Sequence, residues 1–256
     1  MTVSPSPWPA GTPGWADITV ADPVPVQRFY GALLGWRFDA SQDGAYLIAT
    51  LDGKAVAGVR IADAPTPAWW CVYLATDDVT ESVERAVDGG ATVLLPPVVV
   101  LDEGRMAVVA DPTGAAVGLW ESRARTGWEV TDVPGASVWA EQMSHDPDTA
   151  RRFYVELFGY DAQDMSAPDF RYASLAVGGT PAFGIGGYGP GAGDVPAAWT
   201  WYLAVPDADD AARRVGALDG DVVSGPEDTP YGRMLLVRGP AGELAALLEV
   251  RDEDGF

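Results

Sequence analysis

The chain has 256 residues, 48% of them hydrophobic and 21% charged, the composition of a globular protein with apolar material for one large or two small cores. Its net charge of −21 argues against nucleic acid or an anionic membrane surface as partner, and no stretch approaches the roughly 20 apolar residues of a membrane helix. The Pro-rich start, Met1 to Gly14, lacks the basic residues and apolar run of a secretory signal, and the single cysteine, Cys71, excludes an internal disulfide framework and a multi-cysteine zinc site, so a soluble, cytoplasmic protein is expected.

After an N-terminal segment, 1–13, the residues Trp15 to Val20 alternate at the strand period, which sends Ile18 and Val20 toward a helix and Trp15, Asp17 and Thr19 to the other face. Asp22-Pro23 supplies a helix N-cap and first helical residue. Val26, Phe29, Tyr30, Leu33 and Leu34 follow at helical spacing, and Gly35 ends the helix as a left-handed cap. Ala45 to Leu51 and Ala55 to Ile61 read as short strands. A second strand start, Trp70-Cys71-Val72-Tyr73-Leu74, leads to an acidic helix start at Asp77-Asp78, and an Asp-Pro-x-Gly hairpin precedes a closing strand that ends in Trp120 and Glu121.

The same grammar then recurs. Trp15, Asp17, Asp22-Pro23, Arg28-Phe29-Tyr30 and Gly35 return as Trp139, Glu141, Asp146-Pro147, Arg152-Phe153-Tyr154 and Gly159, an offset of 139 − 15 = 124. Trp70 to Leu74 has a weaker copy in Trp199-Thr200-Trp201-Tyr202-Leu203, followed by Asp207. Gly104-Arg105-Met106, Pro112, Gly114 and Glu121 return as Gly232-Arg233-Met234, Pro240, Gly242 and Glu249, an offset of 249 − 121 = 128. Two domains are expected, 14–122 and 136–251, joined by a linker at 123–135 and each made of two βαβββ modules.

The strand, Asp-Pro, helix with Phe-Tyr, and closing Asp-Pro-x-Gly hairpin before a strand ending in Glu resemble the vicinal oxygen chelate superfamily of glyoxalases, extradiol dioxygenases and bleomycin-resistance proteins, and in particular two-domain glyoxalase-like proteins of actinobacteria. The resemblance implies an α+β fold: a tandem duplicated glyoxalase-like fold of four βαβββ modules, with curled mixed sheets and helices outside. Metal enzymes of that superfamily carry His, Gln or Glu ligands on the first and last strands of their modules. The corresponding first-strand positions hold Trp15, Trp139, Cys71 and Thr200, while the last strands hold Glu121 and Glu249.

Several residues are therefore candidates. Glu121 and Glu249 are candidate general bases. Trp15, Asp17, Cys71, Tyr73 and Trp120 in the first half, and Trp139, Glu141, Thr200 and Tyr202 in the second, are candidate cleft residues, with Trp69, Trp70, Trp199 and Trp201 also placed at cleft borders; core packing is the alternative for the tryptophans. Arg105 and Arg233 share a repeat position and suit either a clamp on an anion or a structural carboxylate pair. The only histidine, His145, falls in a loop beside a helix cap, and the glycine-rich run Gly186 to Gly193 reads as a loop without the features of a phosphate site.

With imidazole missing from the ligand positions, no metal or other cofactor is expected, a divalent ion held by carboxylates being the alternative. The expected partner is a small organic molecule, aromatic or cationic, held in acidic, Trp-rich clefts of a monomer or homodimer. The competing expectation is an enzyme, a lyase, isomerase or metal-dependent glyoxalase or dioxygenase, using Glu121 or Glu249.

Overall fold

The computed structural model describes residues 6–41 and 44–250. Met1 to Pro5 of the N-terminal segment and Arg251, the expected end of the second domain, lie outside the described residues.

The first half contains β1 (Pro13–Val20), α1 (Val24–Leu34), β2 (Arg37–Ala40), β3 (Tyr46–Leu51), β4 (Lys54–Ile61), β5 (Trp70–Ala75), α2 (Val79–Asp88), β6 (Thr92–Val100), β7 (Gly104–Ala110) and β8 (Ala116–Ser122). The second half repeats the order with β9 (Ser137–Ser144), α3 (Pro147–Phe158), β10 (Asp161–Asp164), β11 (Tyr172–Val177), β12 (Thr180–Gly187), β13 (Ala198–Ala204), α4 (Ala208–Ala217), β14 (Asp221–Thr229), β15 (Gly232–Arg238) and β16 (Leu244–Val250). Each half forms its own eight-stranded sheet, in the orders β2-β3-β4-β1-β5-β8-β7-β6 and β10-β11-β12-β9-β13-β16-β15-β14. The two modules of a half meet at the antiparallel β1–β5 or β9–β13 pair, each flanked by a parallel partner. Modules thus pair within a half, and the sheets stay open.

Local chemistry accounts for these elements. Gly35 and Gly159 end α1 and α3 with φ of 78° and 73°, a left-handed conformation that costs glycine little. Asp146 caps α3 by accepting from Thr149 N, and Asp78 and Asp207 cap α2 and α4 in the same way. Asp22 is displaced by one: it accepts from Val24 N, and Pro23 takes the cap position.

The helices lie outside each sheet, yet those of one domain pack on those of the other, α1 on α4 and α2 on α3, and β5 approaches β13. One continuous apolar core therefore runs through both domains. At its centre Trp70 meets Trp201 with ring centroids 4.9 Å apart, and Trp128 of the inter-domain segment stacks on Trp201 at 5.9 Å. That segment is tied down: Trp128 N bonds Gly14 O, and Trp36 Nε1 donates to Gly135 O at 2.6 Å.

Two polar relays cross this interface. Tyr30 on α1 accepts from Trp70 Nε1 at 2.8 Å and donates to Glu243 of the other domain at 3.0 Å. Tyr154 on α3 accepts from Trp199 Nε1 at 3.0 Å and donates to Asp111 at 3.0 Å. The two carboxylates sit on opposite arms of equivalent hairpins. Asp111 and Ala115 in one domain stand where Gly239 and Glu243 stand in the other, and a Cβ on Gly239 would lie 2.0 Å from Glu243 Oε1. Acid and small residue have exchanged places while the relay is preserved.

Candidate functional site

On the sheet face away from the helices, β1 presents Trp15 and Asp17 to a cleft of about 440 Å³. Tyr46 from β3, Arg60 from β4, Tyr73 from β5 and Trp120 from β8 complete its polar and aromatic side, and Leu95, Val98, Val99 and Val100 of β6 form an apolar wall. Asp17 is buried. Its Oδ1 accepts from the Tyr73 hydroxyl at 3.2 Å and its Oδ2 from the Tyr46 hydroxyl at 3.1 Å, while Trp15 Nε1 donates to the Tyr46 oxygen at 3.0 Å. Both phenols reach this carboxylate because glycine lies beneath them: a Cβ on Gly58 would stand 1.7 Å from the Tyr46 hydroxyl, and one on Gly118 2.1 Å from the Tyr73 ring.

Burial raises the Asp17 carboxyl to about 6, against the opposing pull of the Arg60 charge and the two tyrosine hydrogen bonds. Desolvation, with the Asp17 charge adding to it, likewise pushes Tyr46, Tyr73 and the Cys71 thiol well above their usual ranges, so the phenols act as donors and Cys71 stays a thiol. Arg60 lies 3.9 Å from Asp17 and 5.6 Å over the Tyr46 ring; Arg125 pairs with Glu103 at 3.3 Å and lies 5.7 Å over Trp15.

The second domain rebuilds the centre of this arrangement. Glu141 accepts from Tyr172 and Tyr202 at 2.6 Å each, and Trp139 Nε1 donates to Tyr172 at 3.1 Å. Burial raises the Glu141 carboxyl as well. The surroundings differ. Gly186 takes the sheet position of Arg60, and the Met143 sulfur fills the space in front of it. The register of β14 puts Ser224, Glu227 and Asp228 where β6 has Leu95, Val98 and Val99.

Other candidates fall elsewhere. Glu121 lies on the helix side of β8, because Gly118 and Trp120, on the parity of Tyr73, occupy the cleft face. It accepts from Val79 N at 3.1 Å and from Arg105 at 3.0 Å, while Arg105 also donates to Thr80. Glu249 accepts from Ala208 N at 2.8 Å, and Arg233 pairs with Asp209 at 3.0 Å. These four side chains close the starts of α2 and α4, which corrects the expected placement of the two glutamates in the clefts and, of the two alternatives for Arg105 and Arg233, puts them in structural carboxylate pairs. Of the two alternatives for the remaining tryptophans, Trp70, Trp199 and Trp201 take core packing, in the inter-domain core, while Trp69 is exposed. Thr200 lies opposite Glu141 in the β9–β13 ladder, as Cys71 lies opposite Asp17. His145 is exposed, with its ring 5.1 Å from that of Tyr188. The sequence reading missed Tyr46, Tyr172 and Arg60. The tyrosines recur with their glycines, 172 − 46 = 184 − 58 = 126, a repeat signal that was available; Arg60 has no counterpart to betray it.

A metal site of the superfamily's kind does not fit this donor set. The centre of the cleft offers one carboxylate already bonded by two phenols, together with a buried thiol; the cleft's other carboxylate, Glu103, is paired with Arg125, and the β8 residue opposite Tyr73 is Gly118, which has no donor side chain. Among the described residues no three His, Cys, Asp or Glu side chains converge as ligands.

Comparison with known proteins agrees with this architecture. A Glyoxalase-like domain model matches residues 15–119, and the model of the Glyoxalase/Bleomycin resistance protein/Dioxygenase superfamily matches 136–256. The chain belongs to that superfamily. Relatives of this vicinal oxygen chelate group include the protein named "Putative glyoxylase CFP32" of Mycobacterium tuberculosis, 35% identical across 93% of this chain and 95% of that protein. Another is "Anthracycline biosynthesis protein DnrV" of Streptomyces peucetius, 34% identical across 94% of each. Among solved structures, a Mn(II)-bound glyoxalase from Novosphingobium aromaticivorans aligns with a TM-score of 0.65 at 15% identity, covering 96% of this chain and 86% of that one. The 2,3-dioxygenase LapB from Pseudomonas sp. KL28 aligns with a TM-score of 0.65 at 14% identity over 96% and 94%. Similarity at that level is one of fold, and the superfamily fold does not fix the reaction.

Proposed function

We propose that the cleft of the first domain binds a planar, largely apolar small molecule carrying hydrogen-bonding oxygens, and does so without a metal. The observation that carries this reading is the combination, in one 440 Å³ cleft, of Trp15, Trp120 and Tyr46 facing an apolar β6 wall around a carboxylate committed to two phenols. Arg60 and Arg125 offset the cleft's acids, Asp17 and Glu103, which favours an aromatic ligand over a cationic one. The relative named for anthracycline biosynthesis makes an aromatic polycycle the sensible probe.

The test is quenching of tryptophan fluorescence by anthraquinone-2-carboxamide in the presence of a chelator. Saturable quenching is expected for the wild type and its loss for Val98→Glu, which installs the residue of the second domain at the apolar wall. Quenching that appears only when divalent metal is restored would overturn the reading.

An enzymatic reading rests on Asp17 rather than on Glu121 or Glu249, since a buried carboxyl titrating at about 6 is suited to proton transfer near neutral pH. Turnover of a bound compound by the wild type and not by Asp17→Asn would establish it.

A further inference from the structure

Among the described residues, Arg60 has the loosest ion pairing of the charged groups in the cleft. A guanidinium carries five N–H donors in a rigid fork, yet among the described residues this one meets Asp17 Oδ2 at 3.9 Å, the Met106 sulfur at 3.5 Å and the face of the Tyr46 ring at 5.6 Å. Its nearest carboxylate is half-neutralised at about pH 6, so the pairing weakens as the pH falls to that value. Arg125 differs, being held by Glu103 at 3.3 Å. The second domain has Gly186 at the Arg60 position, filled by Met143, and acidic residues on its β14 wall, so a cation at this position distinguishes the first cleft from the second.

We propose that Arg60 is the anion-binding end of this cleft, receiving an organic oxyanion, a carboxylate or phenolate borne by an aromatic ligand, and that Asp17 takes up a proton as the anion binds. The proposal rests on the reading of the cleft as an aromatic-ligand site and adds the ligand's charge. An oxyanion forked onto Arg60 draws off the positive charge that holds Asp17 ionised and adds a negative one beside it. Both effects favour the protonated carboxyl, which then keeps its place between Tyr46 and Tyr73. Above about pH 6, where the free carboxyl is ionised, the balance is one ligand anion plus one proton bound per site; below it the carboxyl already carries its proton and the anion binds without uptake.

The groups facing Asp17 are Tyr46 on β3, Arg60 on β4, and Cys71 and Tyr73 on β5. Both phenols and the thiol are pushed upward and remain protonated near neutral pH, while Glu103 and Arg125 farther out are paired together. Asp17 is therefore the group that titrates. Its free carboxyl is largely ionised above about 6, so affinity for the anion falls as the pH rises beyond that value, by up to about tenfold per unit until the pKa of the bound state is reached.

The experiment is calorimetric titration of the full chain with anthraquinone-2-carboxylate and its neutral carboxamide, at about pH 5.5 and about pH 8, in buffers of different ionisation enthalpy. The wild type is expected to prefer the carboxylate about tenfold or more at the lower pH, to lose most of that preference at the higher, and to take up a proton on binding it at the higher pH but little at the lower. Arg60→Gln levels the two probes. Arg60→Lys, which keeps the charge and the stem, retains part of the preference and so separates loss of charge from loss of fold. Asp17→Asn keeps the preference and flattens the pH profile. Equal binding of both probes by the wild type, or a preference that survives Arg60→Gln, overturns the oxyanion subsite while leaving the aromatic cleft standing. Failure of both probes to bind removes the cleft reading and the subsite together.

Discussion

Replacing Asp17 by Asn should make the protein more stable at neutral pH and leave it no more stable in acid. The carboxyl stands at about 6 in the folded chain against an ordinary 3.8, a difference of 6 − 3.8, about two units, and each unit corresponds to roughly 1.4 kcal/mol. Because the folded pKa is the higher one, the native state binds more protons than the unfolded state between those values. Stability therefore falls as the pH climbs from about 4 to about 6 and is level above that window. Keeping Asp17 ionised thus costs about 3 kcal/mol at pH 7.5. Asparagine removes that cost but must fit an amide N–H₂ against one of the two phenols, a mismatch worth roughly 1 kcal/mol. The expected net gain is about 2 kcal/mol. Urea unfolding of wild type and Asp17→Asn at half-unit steps from about pH 4 to about pH 8 reads the difference directly, since other acidic groups cancel between the two chains. Parallel stability curves would refute the assignment of a buried, destabilised carboxylate at this position.

Two further substitutions test the frame around the cleft. Tyr30→Phe removes the hydroxyl between Trp70 and Glu243 and should cost about 1–3 kcal/mol. Tyr154→Phe should cost less, because Asp111 keeps bonds from Thr113, Ala115 and Gln142 whereas Glu243 keeps those of the Ala241 N–H and its own backbone N–H; equal losses in urea titrations would contradict the relay. Glu121→Gln weakens the start of α2 and its pairing with Arg105 and should lower stability by about 0.5–2 kcal/mol while leaving the affinity for an aromatic probe unchanged. A large loss of affinity in a folded variant would return Glu121 to the site.

The duplication was legible because it is written in local signals: an Asp-Pro start, helical spacing through Phe29-Tyr30 or Phe153-Tyr154, and a left-handed glycine at the end of each first helix. The cleft face of the first strand was legible for the same reason, since alternation from Ile18 and Val20 fixes where Trp15 and Asp17 point. Glu121 was misplaced because the parity of β8 is set by its parallel register with β5, Tyr73 opposite Gly118, which no residue of β8 announces on its own. Trp70, Trp199 and Trp201 look like cleft aromatics in isolation. Only the packing of one domain's helices on the other's turns them into core. The tyrosines that hold Asp17 and Glu141 come from the third strand of each first module and are brought to the carboxylate by the β3–β4 and β11–β12 hairpins, with Gly58 and Gly184 clearing the way.

The central claim is that a single, metal-free cleft, in the first of two similar domains, holds an aromatic ligand. It is tested most directly by the stoichiometry of anthraquinone-2-carboxylate binding to chelator-treated protein, measured by calorimetry. One ligand per chain, abolished by Val98→Glu, is the result the account predicts. Two equivalent ligands per chain, or binding restored only by added divalent metal, would contradict it.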